Sequence, residues 1–266
     1  MRRNVLFIVC CAVACLAACQ KQTTVDDVVN MVVQASGGAE KLLAIEDQVS
    51  TWDFTMKMMP EAMEGQPEME ADKGEVTGGQ EMAMEMVIYY KRPNKIRMDF
   101  GEEGNVVMSA VYDGMTGWES RGGERREKTE AELKEDAALA ETWIDGFLNC
   151  EEKGYTLELL PNETLDDRDC LVVQTTKDGH VMKYHIDAET HHVMRQSGEM
   201  LNMQKEIEPM YLTFSDYKMA DDIAWAHYVS MHKENGEMVW EATLKEARHN
   251  TGVADELFKG EEMSVK

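Results

Sequence analysis

The reactive side chains of this protein are thiols, thioethers, imidazoles and carboxylates. One of them, the Cys19 thiol, has surroundings that specify its fate. It closes Leu16-Ala17-Ala18-Cys19, at the end of an apolar stretch from Val5 to Leu16 that follows Arg2 and Arg3. A basic start, a short apolar run and small residues at a cleavage point form an export signal with a lipobox. A permanent membrane helix would need ~20 apolar residues. Cys10, Cys11 and Cys15 have the wrong residues before them and would leave with the signal. The expected layout is a removable signal over 1–18, a lipid-anchored tether over 19–24 and one domain over 25–266.

Other chemistry is weighed against this. Cys150 and Cys170 remain after the signal and Cys19 are set aside, and an oxidising compartment permits a disulfide between them. Met56, Met58, Met59, Met63 and Met69, with Met82, Met84 and Met86, offer soft thioethers of the kind that select monovalent copper. Alternation places Met82, Met84 and Met86 on the inward face of a strand, which favours packing over metal binding. His180, His185, His191 and His192, with Asp187 and Glu189, resemble a metal cluster in the linear sequence, but most of them fall in turns, where polar residues belong. Among so many acids, groupings such as Glu124-Glu127-Glu130-Glu132 or Asp166-Asp167-Asp169 arise by chance. No G-x-S-x-G, H-E-x-x-H, phosphate loop or dinucleotide fingerprint is present. No catalytic residue, metal or cofactor is expected.

The formal charge of −24 bounds the partners. Loss of Arg2 and Arg3 takes Lys+Arg from 27 to 25 against 51 Asp+Glu, about −26 for the mature chain. Nucleic acid and anionic headgroups both need a cationic surface, so membrane attachment falls to the lipid on Cys19. Gln20 in place of an aspartate after that cysteine leans toward the outer membrane, and a monomer is expected.

Hydrophobic periodicity supplies the elements. Thr24 and Asp27 open a helix carrying Val25, Val28, Val29, Val32 and Val33, stopped by Gly37-Gly38; Glu40 to Ile45 adds a turn or two. The period then becomes two. Trp52, Phe54, Met56 and Met58 form one apolar alternation, Met82, Met84, Met86, Ile88 and Tyr90 a second, and Ile96, Met98 and Phe100 a third. Pro60 to Gly79 reads as a long mobile loop. Thr129 and Glu132 form a capping box for a helix over Thr129 to Asn149, with Leu133, Ile144 and Phe147 on its apolar stripe. Strands resume from Tyr155, with turns at Asp178-Gly179 and Asn235-Gly236. The predicted class is mainly β with α: one curved antiparallel sheet, partly closed.

Several segments resemble a family in the right order. Val28 to Ile45, VVNMVVQASGGAEKLLAI, is similar to the N-terminal helix and GG-x-E-K-L segment of the LolA/LolB-like superfamily, in its outer-membrane lipoprotein-sorting-protein-like branch. Tyr89 to Arg97 resembles its "YYKRPDKFR" strand, Tyr112 to Trp118 its "YDGKTGW" hairpin, and Tyr184 to Thr190 its "YYIDPET" turn. Phe214 to Tyr217 and Asn250 to Phe258 resemble its closing strands and terminus. Departures are Asp167-Arg168 and Asp221-Asp222 where Asp-Gly is usual, Ala226 for a common proline, and a longer Met-rich loop from Met56 to Met69.

The resemblance implies a half-open β-barrel packed on helices around an apolar cavity, which in well-known members takes lipoprotein acyl chains. The cavity would be lined by Trp52, Phe54, Met56, Met58, Met84, Met86, Ile88, Tyr90, Ile96, Met98 and Phe100, with Leu133, Ile144 and Phe147 on a lid helix. Burial yields about 0.8 kcal/mol per methylene, so one ~C16 palmitoyl-length chain could contribute on the order of 10 kcal/mol before ordering costs. The expected partners are a lipid or the acyl chains of a lipoprotein, and a membrane through Cys19. A sensor or scaffold that binds a protein partner and a Met-rich copper buffer are the alternative functions.

Overall fold

The computed structural model describes residues 23–58, 80–102 and 104–259. The signal, Cys19 and the loop from Pro60 to Gly79 lie outside these residues. Two helices open the described part of the chain, α1 (Val25–Ala35) and α2 (Ala39–Leu43). Six strands follow: β1 (Asp47–Met58), β2 (Gln80–Lys91), β3 (Lys95–Glu102), β4 (Asn105–Tyr112), β5 (Gly117–Arg121) and β6 (Glu124–Glu127). After α3 (Glu130–Thr142) come β7 (Thr156–Leu165), β8 (Arg168–Lys177), β9 (His180–Asp187), β10 (Val193–Leu201), β11 (Ile207–Ala220), β12 (Ile223–Lys233) and β13 (Met238–His249).

All thirteen strands form one antiparallel sheet in the order β6-β5-β4-β3-β2-β1-β13-β12-β11-β10-β9-β8-β7. The chain starts in the middle of the sheet and winds outward to β6. It then crosses to the opposite edge through α3 and returns strand by strand until β13 pairs with β1. The edges β6 and β7 do not pair, so the barrel is half-open, with helices against its inner face.

Local chemistry explains the boundaries. In α1 the Thr24 N–H donates to Asp27 Oδ2 at 3.0 Å while the Asp27 N–H donates to Thr24 Oγ1 at 3.2 Å, which completes the capping box. Gly37 stops the helix at φ 120°, and a Cβ there would lie 2.5 Å from the Asp222 carbonyl. Asp166-Asp167 and Asp221-Asp222 take left-handed φ values of 50–63° between the paired residues Leu165 and Arg168, and Ala220 and Ile223. They build the two-residue turns that Asp-Gly would otherwise make.

Two expectations are corrected. The third helix ends at Thr142 rather than Asn149, because Gly146 and Asn149 adopt positive φ (53° and 57°) and break the segment 143–154 into turns. Cys150 and Cys170 form no disulfide; both are free, buried thiols. Cys150 packs with Val28 and Phe147, whereas the Cys170 Sγ lies 3.8 Å from Met194 Sδ.

The outer face has its own cover. Residues after β13 turn back over β1 to β5, where Val253 and Phe258 pack on Val111, Val49, Tyr89 and Trp118. Asp47 fixes the turn by accepting from the N–H groups of Thr251 (2.7 Å) and Gly252 (3.0 Å).

Candidate apolar binding site

Register decides which side chains share a face, since directly paired residues of an antiparallel ladder point the same way. Trp52 pairs with Met86, Phe54 with Met84 and Met56 with Met82. Met86 pairs with Phe100, Ile88 with Met98 and Tyr90 with Ile96. On the other side of β1, Trp52, Phe54 and Met56 pair with Leu244, Ala242 and Trp240. The result is a continuous apolar wall across β3, β2, β1 and β13. The Phe54 ring packs against Phe100 at 5.3 Å and against Trp240 at 5.6 Å.

Of the expected lining residues, Trp52, Phe54, Met56, Met84, Met86, Ile88, Ile96, Met98 and Phe100 all join this cluster. Tyr90 joins the neighbouring one, with Val33, Leu42 and Ile45. Met58 ends β1, and its side chain lies outside the described residues. Sequence reasoning missed the inner residues of β10 to β13: Trp225, Val229 and Trp240 complete the wall, and Met200 and Met210 pack beside it with Met182 of β9. Their strands were recognisable, but sequence gave no means of telling which alternate set faced inward.

The segment α3 to Phe147 reaches three separate clusters. Leu133, Ala137 and Ala140 touch the wall, Ile144 packs on Tyr90, and Phe147 packs on Val28, Val173 and Ile186, with its ring 4.9 Å from Tyr184. Only Leu133 of the three expected lid residues faces the wall; the other two fasten the segment to the floor. Many wall residues remain half-buried although they lie on the covered face, among them Met82, Met84, Met98, Met108, Leu139, Val229 and Trp240. Leu212, Phe214 and Met231 do likewise on β11 and β12. Accessible methionine and aromatic surface on a concave face can re-pack around an apolar guest.

Charged groups lie along α3 and the segment that follows it. The Glu132 carboxylate, buried at the start of α3, accepts from Arg126 of β6 (2.6 and 2.9 Å) and pairs with Lys205 of the β10–β11 turn (3.0 Å). The Arg126 hydrogen bonds hold its pKa well below the usual carboxylate range. One turn on, Glu135 accepts from the Leu201 N–H and Asp136 pairs with Lys128, yet burial pushes both carboxyls upward. Below α3, burial opposes ionisation of Asp145, but Arg92 (2.7 Å) and Lys153 (2.7 Å) keep its pKa below the ordinary value. A polar chain crosses the floor: Trp143 Nε1 donates to Gln48 Oε1 at 2.6 Å, Gln48 Nε2 meets His249 Nε2 at 3.3 Å, and His249 Nδ1 meets Asp221 at 3.5 Å.

The histidines weighed as a metal cluster serve separate roles. His185 bonds Glu163 at 2.9 Å, His192 stacks on Tyr217 at 4.2 Å, and Asp187 caps the turn at Thr190. Among the described residues, no group of three or more His, Cys, Asp or Glu side chains is placed to hold a metal ion. No helix among them is long and apolar enough to cross a membrane.

No family model matches the chain, and no curated protein sequence matches it. Solved structures do. A DUF1329 family protein from Desulfovibrio piger superposes with a TM-score of 0.58 at 14% identity, over 89% of this chain and 98% of that one. A LolA superfamily protein from Nitrosomonas europaea gives 0.56 at 10% identity, over 89% and 98%. A domain assigned as an outer membrane lipoprotein-sorting protein from Vibrio parahaemolyticus gives 0.53 at 14%, over 86% and 95%. At such identities the likeness concerns architecture alone. A thirteen-stranded open sheet, helices on its inner face and these superpositions together give the chain a LolA/LolB-like fold.

Proposed function

We propose that this protein is a lipid-anchored component of the bacterial envelope that binds an apolar ligand, an acyl chain of a lipid or lipoprotein, without covalent chemistry. Beside the buried Trp52, Phe54, Met56 and Met86, the observation that carries this reading is that Met84, Met98, Val229 and Trp240 of the same wall stay half-buried on the covered face of the half-barrel. A core that only packed would bury them. The outer-membrane placement and the attachment through Cys19 rest on the N-terminal sequence. A fixed anchor suits a receiver of lipid better than a diffusing carrier.

The test uses the chain from Gln20 onward, which retains every described residue and therefore the whole sheet. Exported, purified without detergent and extracted with organic solvent, it should yield stoichiometric lipid by mass spectrometry and take up a fluorescent apolar dye once delipidated. Absence of both would overturn the reading. Separately, Cys19→Ser should abolish incorporation of labelled palmitate and move the full chain from the membrane to the soluble envelope fraction.

A further inference from the structure

Two buried polar atoms on the inner face of β12 have no hydrogen-bond partner among the described residues: Trp225 Nε1 and His227 Nε2. An unpaired buried donor or acceptor is costly, and native proteins rarely leave one without a purpose. The register fixes where these two point. β12 pairs with β11 in one register on both sides of His227, from Ile223 to Ala226 and from Tyr228 to Lys233, with Asp216 at φ 53° opposite the gap, so Trp225, His227 and Val229 share one face. Val229 pairs with Ala242 of the wall, and Trp225 packs against the same cluster. The Trp225 ring is fixed between Trp143 (6.4 Å) and His249 (5.8 Å), so its N–H has a defined place.

The surroundings also select a charge. The charges that act on His227 are Lys218 and Asp216, which are bonded to one another at 2.6 Å and pull its titration in opposite directions. Burial, helped by Lys218, lowers the His227 pKa, so the imidazole is neutral at pH 7. The polar pair therefore offers hydrogen bonds without net charge. From Trp225 the same face continues past Val229 to Met231, with Ala242 and Trp240 opposite, about 20 Å of apolar strand.

We infer that Trp225 and His227 form a polar subsite for the carbonyl end of a neutral acyl ester or amide, whose hydrocarbon runs along Val229 and Trp240 to the methionine wall. This rests on the proposed apolar binding and adds a preference to it: esters and amides above carboxylates. Trp225 donates to the carbonyl oxygen, and the neutral imidazole meets a second polar atom of the linkage.

The test uses the delipidated chain from Gln20 with three probes: monopalmitoylglycerol, palmitate and phenylnaphthylamine, a dye with no carbonyl. Trp225→Phe and His227→Leu should each weaken monopalmitoylglycerol about three- to tenfold, the worth of one hydrogen bond, and leave dye binding unchanged. His227→Gln should restore most of the loss. Native affinity for monopalmitoylglycerol in both variants, with dye binding intact, would remove the subsite and leave the apolar reading standing. Equal loss of both probes would assign these residues to packing alone and also overturn the proposal. Tighter binding of palmitate than of monopalmitoylglycerol would overturn the preference for neutral linkages. Failure of the native chain to take any probe would remove the apolar reading itself.

Discussion

Close approach at single residues sets the tolerance of the inner face. A Cβ on Gly198 of β10 would sit 2.5 Å from Met182 Sδ and 2.7 Å from the Val181 carbonyl. The sulfur could move, but the backbone oxygen could not. Gly198→Ala should therefore cost about 1–3 kcal/mol in urea unfolding, typical of an overpacked site. At Asp145, one buried carboxylate answers both Arg92 and Lys153. Asp145→Ala leaves two cations with poor access to water and should cost about 3 kcal/mol in the same measurement. Residues of this kind differ in how much sequence reveals them. Trp52, Phe54 and Met86 were legible because strict alternation left one side for apolar atoms. The roles of Trp225 and His227 were not, because only the register of β12 against two neighbours shows where they point. The thiols of Cys150 and Cys170 were equally silent, since sequence does not reveal which side chains surround a cysteine.

The element that matters most is α3, which connects the two edge strands in sequence and carries opposed titrations one turn apart. Glu132 has a depressed native pKa, so its contribution is complete above the unfolded value of about 4.3 and fades as pH falls through the native one. Glu135 has a raised native pKa, so its ionised form at neutral pH works against the fold, and that penalty disappears on acidification. Glu132→Gln should lower the urea midpoint at about pH 7, with the gap closing below about pH 4. Glu135→Gln should raise it at neutral pH, with its advantage closing at higher pH than the Glu132 gap, as pH falls through the raised native value toward about 4.3. Parallel behaviour of the two variants would contradict the assigned environments. The start of α3 was legible from its capping box. Its end was not: an apolar stripe continues through Ile144 and Phe147, and only the positive φ of Gly146 and Asn149 shows that the chain has left the helix. Strand β6, Glu-Arg-Arg-Glu, escaped notice for the opposite reason, because an exposed edge strand needs no apolar alternation.

For the whole molecule, the fold class, the half-open barrel and the order of the strand signals were readable, because antiparallel neighbours follow one another along the chain. The exception is the pairing of β1 with β13, which no local pattern announces. The segment beyond β13 belongs to the same seam, since it holds Asp47 and covers Val111 and Tyr89 on the outer face. Truncation after Asn250 should leave that patch bare, and the shortened chain should aggregate or lose cooperative thermal unfolding.

That central seam has a temporal consequence. The two arms of the sheet can be joined only when the last strand arrives, so a chain still emerging from the ribosome lacks the piece that zips its middle shut. Closure of the sheet therefore waits on its most distant pairing in sequence, the slowest kind of contact to form.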